Sequence, residues 1–218
     1  MFKPIDTMSP SGSACYPFLN IPDTKFDENG VYRVQLRVSE KEGKEFVKVI
    51  KAYHKETYAY YLEESGKKTL KKCDLPIKKV EDDQGNPTGE LEFNFKLKAR
   101  GMRKDGTEYE NSVRLFDAKG TPVVGGDSVG SGSHIKIATL LRGWYVPAIG
   151  VGVTLGIKAV QIIDLVPYTP GQNSATDFGF GEEEGFVAPP QEEAQPEQTV
   201  EVAATTDSSK EEGEWGDF

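Results

Sequence analysis

Apolar and polar residues alternate strictly in two stretches of the chain. In residues 31–38, tyrosine, valine and leucine at the even positions alternate with arginine and glutamine at positions 33, 35 and 37. In residues 91–98, four apolar residues that start at Leu91 alternate with polar residues that end at Lys98. Because successive side chains of a strand point to opposite faces, each stretch predicts a β-strand with one buried face.

Between these stretches the apolar spacing changes to that of a helix. Phe46, Ile50, Tyr53 and Thr57 recur at intervals of three and four, which predicts a helix over about 43–64, and Gly66 suits its C-terminal stop. Further strands are predicted over 109–116, 135–141 and 151–166, separated by turns at 104–107 and 117–120 and a Gly/Ser loop over 125–133. About five strands with one inserted helix favour a small Greek-key barrel.

The ends of the chain differ from this middle part. Residues 1–29 hold four prolines and little periodicity, so we expect an extended N-terminal arm, followed by one domain over 30–170. Residues 177–218 contain 13 acidic residues and one lysine, whereas residues 1–176 carry a formal charge of +3. A segment with so little apolar surface cannot offset its ordering entropy, which predicts a disordered acidic tail over 171–218.

Cysteine usage and hydropathy bear on the compartment. Cys15 and Cys73 have neither the spacing of a metal site nor enough partners for a disulfide framework. No apolar run approaches the ~20 residues of a membrane helix, and the first residues lack the apolar stretch of a signal peptide. These features predict a soluble, cytosolic protein without a membrane contact.

The sequence offers little for catalysis. The Gly/Ser loop lacks the lysine of a phosphate-binding loop, and the residue four positions after His54 is Tyr58 rather than a second zinc ligand. We therefore predict no catalytic residue, no metal ligand and no cofactor. A hydrolase that holds a metal with Asp82, Asp83 and Glu90 remains the weaker alternative.

Basic residues recur at outward positions of the predicted strands, and aromatic residues lie near them. A groove for single-stranded nucleic acid needs both, because cations track the backbone and rings stack on bases, at about 1–3 kcal/mol per base. Trp144 and Tyr145 precede Pro147, so we expect both rings in an exposed turn, whereas Phe116 suits the core equally well. An ordinary solvated sheet face is the alternative. The predicted contact residues are Arg33, Arg37, Lys96, Lys98, Arg100, Tyr109, Arg114, Phe116, Lys136, Arg142, Trp144 and Tyr145.

The end of the acidic tail carries two aromatic residues. Negative charge beside a ring imitates phosphate beside a base, so this tip suits either the groove itself or a basic pocket of a partner. A tail that only confers solubility would not need these rings. The predicted partner-binding residues are Glu214, Trp215, Asp217 and Phe218, the last of which carries the terminal carboxylate.

In the order and spacing of several short runs, the chain resembles the single-stranded-DNA-binding proteins of short-tailed, T7-like bacteriophages. The runs are 30–36, 50–59, 122–126, 133–137, 148–151 and the acidic ending 215–218. The resemblance implies an oligonucleotide-binding (OB) fold, a five-stranded Greek-key barrel with a helix after its first strand. It also adds Lys3 to the contact residues and supports Trp144 and Tyr145 among them.

The resemblance further implies a function. A non-catalytic protein of this family would coat and protect single-stranded DNA in phage replication, recombination and repair, in the cytoplasm of the infected bacterium. Its tail would compete with DNA and recruit the replicative DNA polymerase and the helicase-primase, and a homodimer formed through the tail is a further expectation. The alternative is an OB-fold interaction adaptor that binds no nucleic acid.

Overall fold

The computed structural model describes residues 2–103, 105–125 and 128–168. Helix α1 covers Glu40–Ser65. Within these residues the strands are β1 (Ile5–Met8), β2 (Gly12–Asp23), β3 (Val31–Ser39), β4 (Ile77–Glu81), β5 (Pro87–Lys98), β6 (Arg100–Met102), β7 (Glu108–Glu110), β8 (Arg114–Phe116), β9 (Ser128–Val129), β10 (His134–Val146), β11 (Gly150–Asp164) and β12 (Pro167–Tyr168).

Five strands close into a barrel in the order β2–β3–β5–β11–β10. All neighbours are antiparallel except β5 and β11, which run parallel. The barrel closes where β10 pairs with β2, with His134 opposite Ser13 and Ile135 opposite Gly12. One helix among these strands and a closed five-stranded path confirm the predicted all-β OB fold.

The other strands extend this barrel at its edges. β1 pairs with β10, β4 pairs with the first half of β5, and β8 pairs in parallel with the second half of β11. β6 and β7 form a separate hairpin, and β9 pairs with β12. The predicted strands at 31–38 and 91–98 are confirmed as parts of β3 and β5.

The N-terminal segment differs from its expected form. Residues 12–23 form the first strand of the barrel rather than an arm laid on it, so α1 follows the second barrel strand and not the first. Tyr16 has a positive φ of 48°, and the register between β2 and β3 shifts between Cys15 and Phe18. This bulge breaks the period of two, which hides the strand from the sequence pattern.

Helix α1 begins earlier than its apolar spacing predicts because Ser39 caps it. The Ser39 hydroxyl accepts a hydrogen bond from the Glu42 backbone N–H, at 3.3 Å, and lies 2.7 Å from the Glu42 carboxylate. Gly66 ends the helix in the left-handed conformation and donates its N–H to the Glu63 carbonyl. The buried face of the helix carries Phe46, whose ring meets that of Phe93.

An aspartate side chain stabilises each of three turns. The carboxylates of Asp82 and Asp117 accept hydrogen bonds from backbone N–H groups of their own turns, and these bonds lower the pKa of each carboxyl. The pKa of Asp105 is lowered chiefly by the Thr107 hydroxyl and also by the Thr107 N–H, both of which donate to it. Asp82 thus serves the β4–β5 turn, although the hydrolase alternative assigned it to a metal. The predicted turns at 104–107 and 117–120 lie where expected, but Lys104 itself is outside the described residues.

Some expectations fall outside the described residues. The predicted tail over 171–218 does, and with it Glu214, Trp215, Asp217 and Phe218. So do Gly126 and Asp127 of the Gly/Ser loop. In the part of the chain that the structure describes, no helix combines the length and apolar character needed to span a membrane.

A close contact between helix and barrel depends on a glycine. The Gly143 N–H donates to the Tyr53 hydroxyl at 3.0 Å, and a Cβ at position 143 would overlap the side chain of Thr57. The hydroxyl of Thr57 in turn donates to the Tyr53 carbonyl, so both groups are held in place. Only a residue without a side chain fits between β10 and α1 here.

We therefore predict that Gly143→Ala lowers the free energy of unfolding by about 1–3 kcal/mol, the usual range for overpacking. Adding Thr57→Ala removes the overlapping atoms and recovers part of that loss, which appears as a favourable coupling in a double-mutant cycle. Chemical denaturation of the four proteins measures it. Equal stability of Gly143→Ala and the parent would contradict this contact.

Candidate nucleic-acid interface

The side chains of β10 point to two different sides of the sheet. Ile135, Ile137 and Leu141 are buried in the core, while Arg142 is exposed and Trp144 half-buried on the opposite face. We call the surface opposite the core the outer face. It consists of the outward side chains of β2, β3, β5, β8, β10 and β11.

Trp144 lies against the sheet across strand β11. Its Nε1–H donates to the Thr154 hydroxyl at 3.1 Å, and its ring covers Gly152, the residue that pairs with it. A Cβ at position 152 would overlap the indole ring, so glycine is required there. The ring is fixed from below by the sheet, and Arg142 is the next outward residue on the same strand.

A row of paired residues runs across five strands of the outer face. Adjacent strands are about 4.8 Å apart, so the row spans about 19 Å. Its members are Phe18, Arg33, Lys96, Gly156 and Leu140, in that order.

Cations and a ring occupy one half of this row. The Arg33 guanidinium lies 4.8 Å from the centre of the Phe18 ring and forms an ion pair with Asp23 at 2.6 Å. Lys96 is exposed and forms no ion pair with any described residue. The glycine that follows in the row leaves the backbone of β11 accessible between Lys96 and Leu140.

A second group lies further along β11. Arg114 and Phe116 of β8 pair with Ala159 and Gln161, and Lys136 of β10 pairs with Gln161 from the other side. The half-buried Phe116 and Lys136 line one shallow depression of the outer surface. The structure therefore places Phe116 on the outer face, although the sequence suited the core equally well.

The β6–β7 hairpin continues from the end of β5. Lys98 is exposed at that end, and Arg100 forms an ion pair with Glu110 across the hairpin, at 3.0 Å. Tyr109 covers Gly101, and the Arg103 guanidinium lies 5.8 Å from its ring centre. The hairpin thus adds a ring and cations beside the C-terminal end of β5.

Tyr145 does not share the side of Trp144. Both residues belong to β10 rather than to the turn that follows it, and neighbouring positions of a strand point to opposite faces. The Tyr145 ring packs at 5.7 Å from that of Tyr61 on α1, and its hydroxyl accepts a hydrogen bond from Lys67. The expectation of two rings in one exposed turn is corrected accordingly.

Arg37 is tied to an acidic neighbour. Its Nε lies 3.3 Å from the Glu92 carboxylate, and Cys15 is close by on β2. Burial opposes the charge of Arg37, but Cys15 and Glu92 outweigh this effect and raise its pKa. Burial raises the pKa of the Cys15 thiol, against the opposing influence of Arg37. Arg37 is therefore less available to an external anion than Lys96.

The Tyr53 hydroxyl links Lys3 to strand β10. Tyr53 accepts the Gly143 N–H and donates to the Lys3 carbonyl at 3.1 Å, which holds the N-terminal residues next to strand β10. Burial is the main cause that raises the pKa of Tyr53. The exposed Lys3 is thus near the level of Arg142 and Trp144 along the strand.

The predicted cations divide into two classes. Arg33, Arg37 and Arg100 have acidic partners. The others form no ion pair with any residue that the structure describes, and they are Lys3, Lys96, Lys98, Arg114, Lys136 and Arg142. Among the described residues, no group of three or more His, Cys, Asp or Glu side chains is placed to hold a metal ion.

Sequence reasoning missed three aromatic residues near this surface. Phe18 lies within the row, Tyr16 is exposed at the β2 bulge, and Phe26 is 85% exposed between β2 and β3 with Lys25 at 5.5 Å from its ring centre. The sequence did show three aromatic residues in a Pro-rich segment without the periodicity of a core strand. They were not considered as contact residues because this segment was interpreted as an extended arm.

Comparison with known proteins gives one family and several similar structures. The family model for the single-stranded DNA-binding protein of bacteriophage T7 matches residues 11–165. The crystal structure of gp2.5, a single-stranded DNA binding protein encoded by bacteriophage T7, shares 26% identity at a TM-score of 0.65 and covers 86% of this chain and 100% of its own. None of the curated protein sequences compared with the chain matches it.

Two structures of the single-stranded DNA-binding protein from bacteriophage Enc34 share the fold. A C-terminal truncation has 11% identity and a TM-score of 0.56, and covers 75% of this chain and 88% of its own. The complex with single-stranded DNA has 15% identity and a TM-score of 0.51, and covers 75% and 89%. At these identities the likeness concerns the fold alone.

Proposed function

Since this chain belongs to the bacteriophage T7 family of single-stranded DNA-binding proteins, we propose that its outer face holds single-stranded DNA. The protein binds and does not catalyse. The observation that carries this assignment is the position of Trp144, whose ring lies against Gly152, beside Arg142 on the same face, which forms no ion pair with any described residue. A fixed ring beside a free cation matches a base beside its phosphate.

The row across the barrel supplies the rest of the path. Lys96 offers a charge that no described residue pairs, and the Arg33 side chain is 45% exposed despite its ion pair with Asp23. Because the Asp23 side chain is only 11% exposed, the ion pair stays in place and the exposed part of the Arg33 side chain contacts the phosphate. Phe18 provides a ring at one end of this row, and Trp144 provides a second ring four residues beyond Leu140 along β10.

Binding at this face accounts for a role in DNA metabolism. A protein that binds single strands but not duplex shifts the equilibrium of hairpins towards the open form by mass action. Coating of this kind protects transient single strands and makes them available for replication, recombination and repair. We place this activity in the cytoplasm of the infected bacterium, where phage DNA is copied.

The acidic segment supplies regulation and partner binding. Residues 177–218 carry a formal charge of −12, opposite in sign to the rest of the chain, and a tethered segment reaches an effective concentration of about millimolar. It therefore competes with DNA for the cations of the outer face. When DNA displaces it, Trp215 and Phe218 become available to the DNA polymerase and the helicase-primase, and exchange of the segment between two copies would give a dimer.

The first prediction removes charge from the outer face. Lys96→Gln with Arg142→Gln weakens binding to oligo-dT and lowers the slope of log affinity against log salt by about 1.4, at ~0.7 per phosphate contact. The matched control is Lys41→Gln with Lys44→Gln, two exposed lysines of α1 that lie off the outer face. Fluorescence anisotropy titrations at several salt concentrations measure both variants.

Equal slopes for the parent, the outer-face variant and the control would remove the outer face from consideration. Absence of any oligo-dT binding by the parent would instead favour an adaptor without nucleic-acid binding.

The second prediction concerns the acidic segment. A chain that ends before residue 171 binds oligo-dT more tightly than the full chain, and the difference shrinks as salt screens the attraction. Phe218→Ala keeps all the acidic residues, so it retains the competition but loses binding to the polymerase. Weaker DNA binding after truncation, or full polymerase binding by Phe218→Ala, would leave the segment a solubility device.

A further inference from the structure

Four lysines gather beyond the C-terminal end of helix α1. They are exposed and form no ion pair with any described residue, although Glu63, Glu64 and Asp74 are near them in sequence. We call them the lysine cluster, and its members are Lys67, Lys68, Lys71 and Lys72. Lys67 and Lys68 are close enough to the C-terminus of α1 to interact with the negative end of the helix dipole. Lys71 and Lys72 lie too far beyond it for that interaction.

The segment that carries the cluster is fixed on both sides. The Tyr58 hydroxyl accepts the Leu70 N–H at 3.1 Å and lies 3.3 Å from the Leu70 carbonyl. On the barrel side, the Val151 N–H donates to the Lys71 carbonyl, and the Val151 carbonyl accepts the Cys73 N–H, both at 2.8 Å. The lysines are thus presented from an ordered backbone, which reduces the entropy lost when they bind a ligand.

Two tyrosine rings accompany the lysines. The Lys72 Nζ lies 4.5 Å from the centre of the Tyr58 ring, and the Lys67 Nζ lies 5.9 Å from that of Tyr145 and 3.2 Å from its hydroxyl. The cluster therefore combines cations and rings, as the outer face does. This combination suits a polyanion that also has flat groups.

The cluster and the outer face meet at the end of β10. Trp144 presents its ring on the outer face, and Tyr145, the next residue, reaches the lysine cluster on the other side of the strand. The turn between β10 and β11 separates them and exposes Val146 and Ile149. A single strand that leaves the outer face at Trp144 has only this turn to cross.

We propose that the lysine cluster is a second single-stranded DNA contact, which a strand reaches after it has filled the outer face and crossed the β10–β11 turn. This inference rests on the proposed function and extends it. The cluster binds phosphates of the flanking nucleotides, and its contribution appears only with strands long enough to reach it.

The lysine cluster adjoins the outer face rather than the end of the described residues, which favours DNA as its occupant. The cluster adjoins Gly150 at the start of β11, whereas the acidic segment follows Tyr168, which lies near the other end of that strand. The described residues thus end at the opposite end of β11 from the cluster, whereas the end of β10 brings the outer face directly to it.

The experiment compares oligo-dT of about 4 to about 16 nucleotides, the range of site sizes for this fold. The variant is Lys68→Gln with Lys71→Gln, since these two lysines contact neither tyrosine ring in the described structure. The control is Lys41→Gln with Lys44→Gln in the first turns of the same helix, whose 26 residues span about 39 Å. Thermal unfolding checks that both variants are folded.

We expect the variant to bind the shortest strands like the parent. Above a threshold length it should bind more weakly, with a salt slope reduced by up to about 1.4. Unchanged binding at every length, an equal loss at the shortest length, or an equal loss in the control would overturn the second contact. Tighter binding that disappears when residues 169–218 are removed would overturn it as well, because the cluster would then hold the acidic segment.

Binding of the shortest oligo-dT also distinguishes failure of the second contact from failure of the proposed function. Normal binding of short strands by parent and variant supports the outer face whatever happens at greater length. If the parent binds no strand of any length, the proposed function fails first and the second contact fails with it.

Discussion

Strand β10 serves two surfaces at once, because neighbouring side chains of a strand point to opposite faces. Its inward positions join the core and meet α1, where Gly143 is small enough for the Thr57 side chain to pack against it. Its outward positions place Arg142 and Trp144 on the outer face. A shift of one residue would bury the cation and expose the core, so the packing of α1 against Gly143 also sets the register of the candidate site.

Charge is distributed so that this surface stays available to an anion. Arg37 is held by Glu92, whereas Lys96 and Arg142 have no acidic partner among the described residues. Acidic residues are denser after residue 176, where 13 occur among 42 residues, than before it, where 22 occur among 176. A cation without a local partner interacts with phosphate without first losing an ion pair, and a tethered acidic segment can be displaced, whereas a fixed neighbour cannot.

The sequence predicted those elements whose period was undisturbed. Residues 31–38 and 91–98 alternate without interruption, and both are strands of the barrel with arginine and lysine facing outward. The first barrel strand, β2, was not predicted because the bulge at Tyr16 breaks the alternation of apolar and polar residues and because four prolines suggested an arm. Phe18, whose ring meets Arg33, and Phe26, whose ring meets Lys25, were missed for the same reason.

Pairing between distant strands was the other limit. Phe116 reaches the outer face because β8 adds in parallel to β11, a contact that no local pattern encodes. Trp144 and Tyr145 were treated as one feature because strand β10 was expected to end before them, and their separation onto two faces followed only from its true end at Val146. The sequence thus supplied the residue types of the site, while long-range pairing decided which of them share a surface.

Trp144 provides the most direct measurement of the central claim. The chain contains two tryptophans, so a Trp215→Phe variant leaves Trp144 as its only indole fluorophore. Titration with oligo-dT should quench that emission saturably, with the same midpoint as binding followed by anisotropy, because a base stacks on the ring against Gly152. Binding by anisotropy with unchanged Trp144 emission would place the DNA elsewhere and contradict the account.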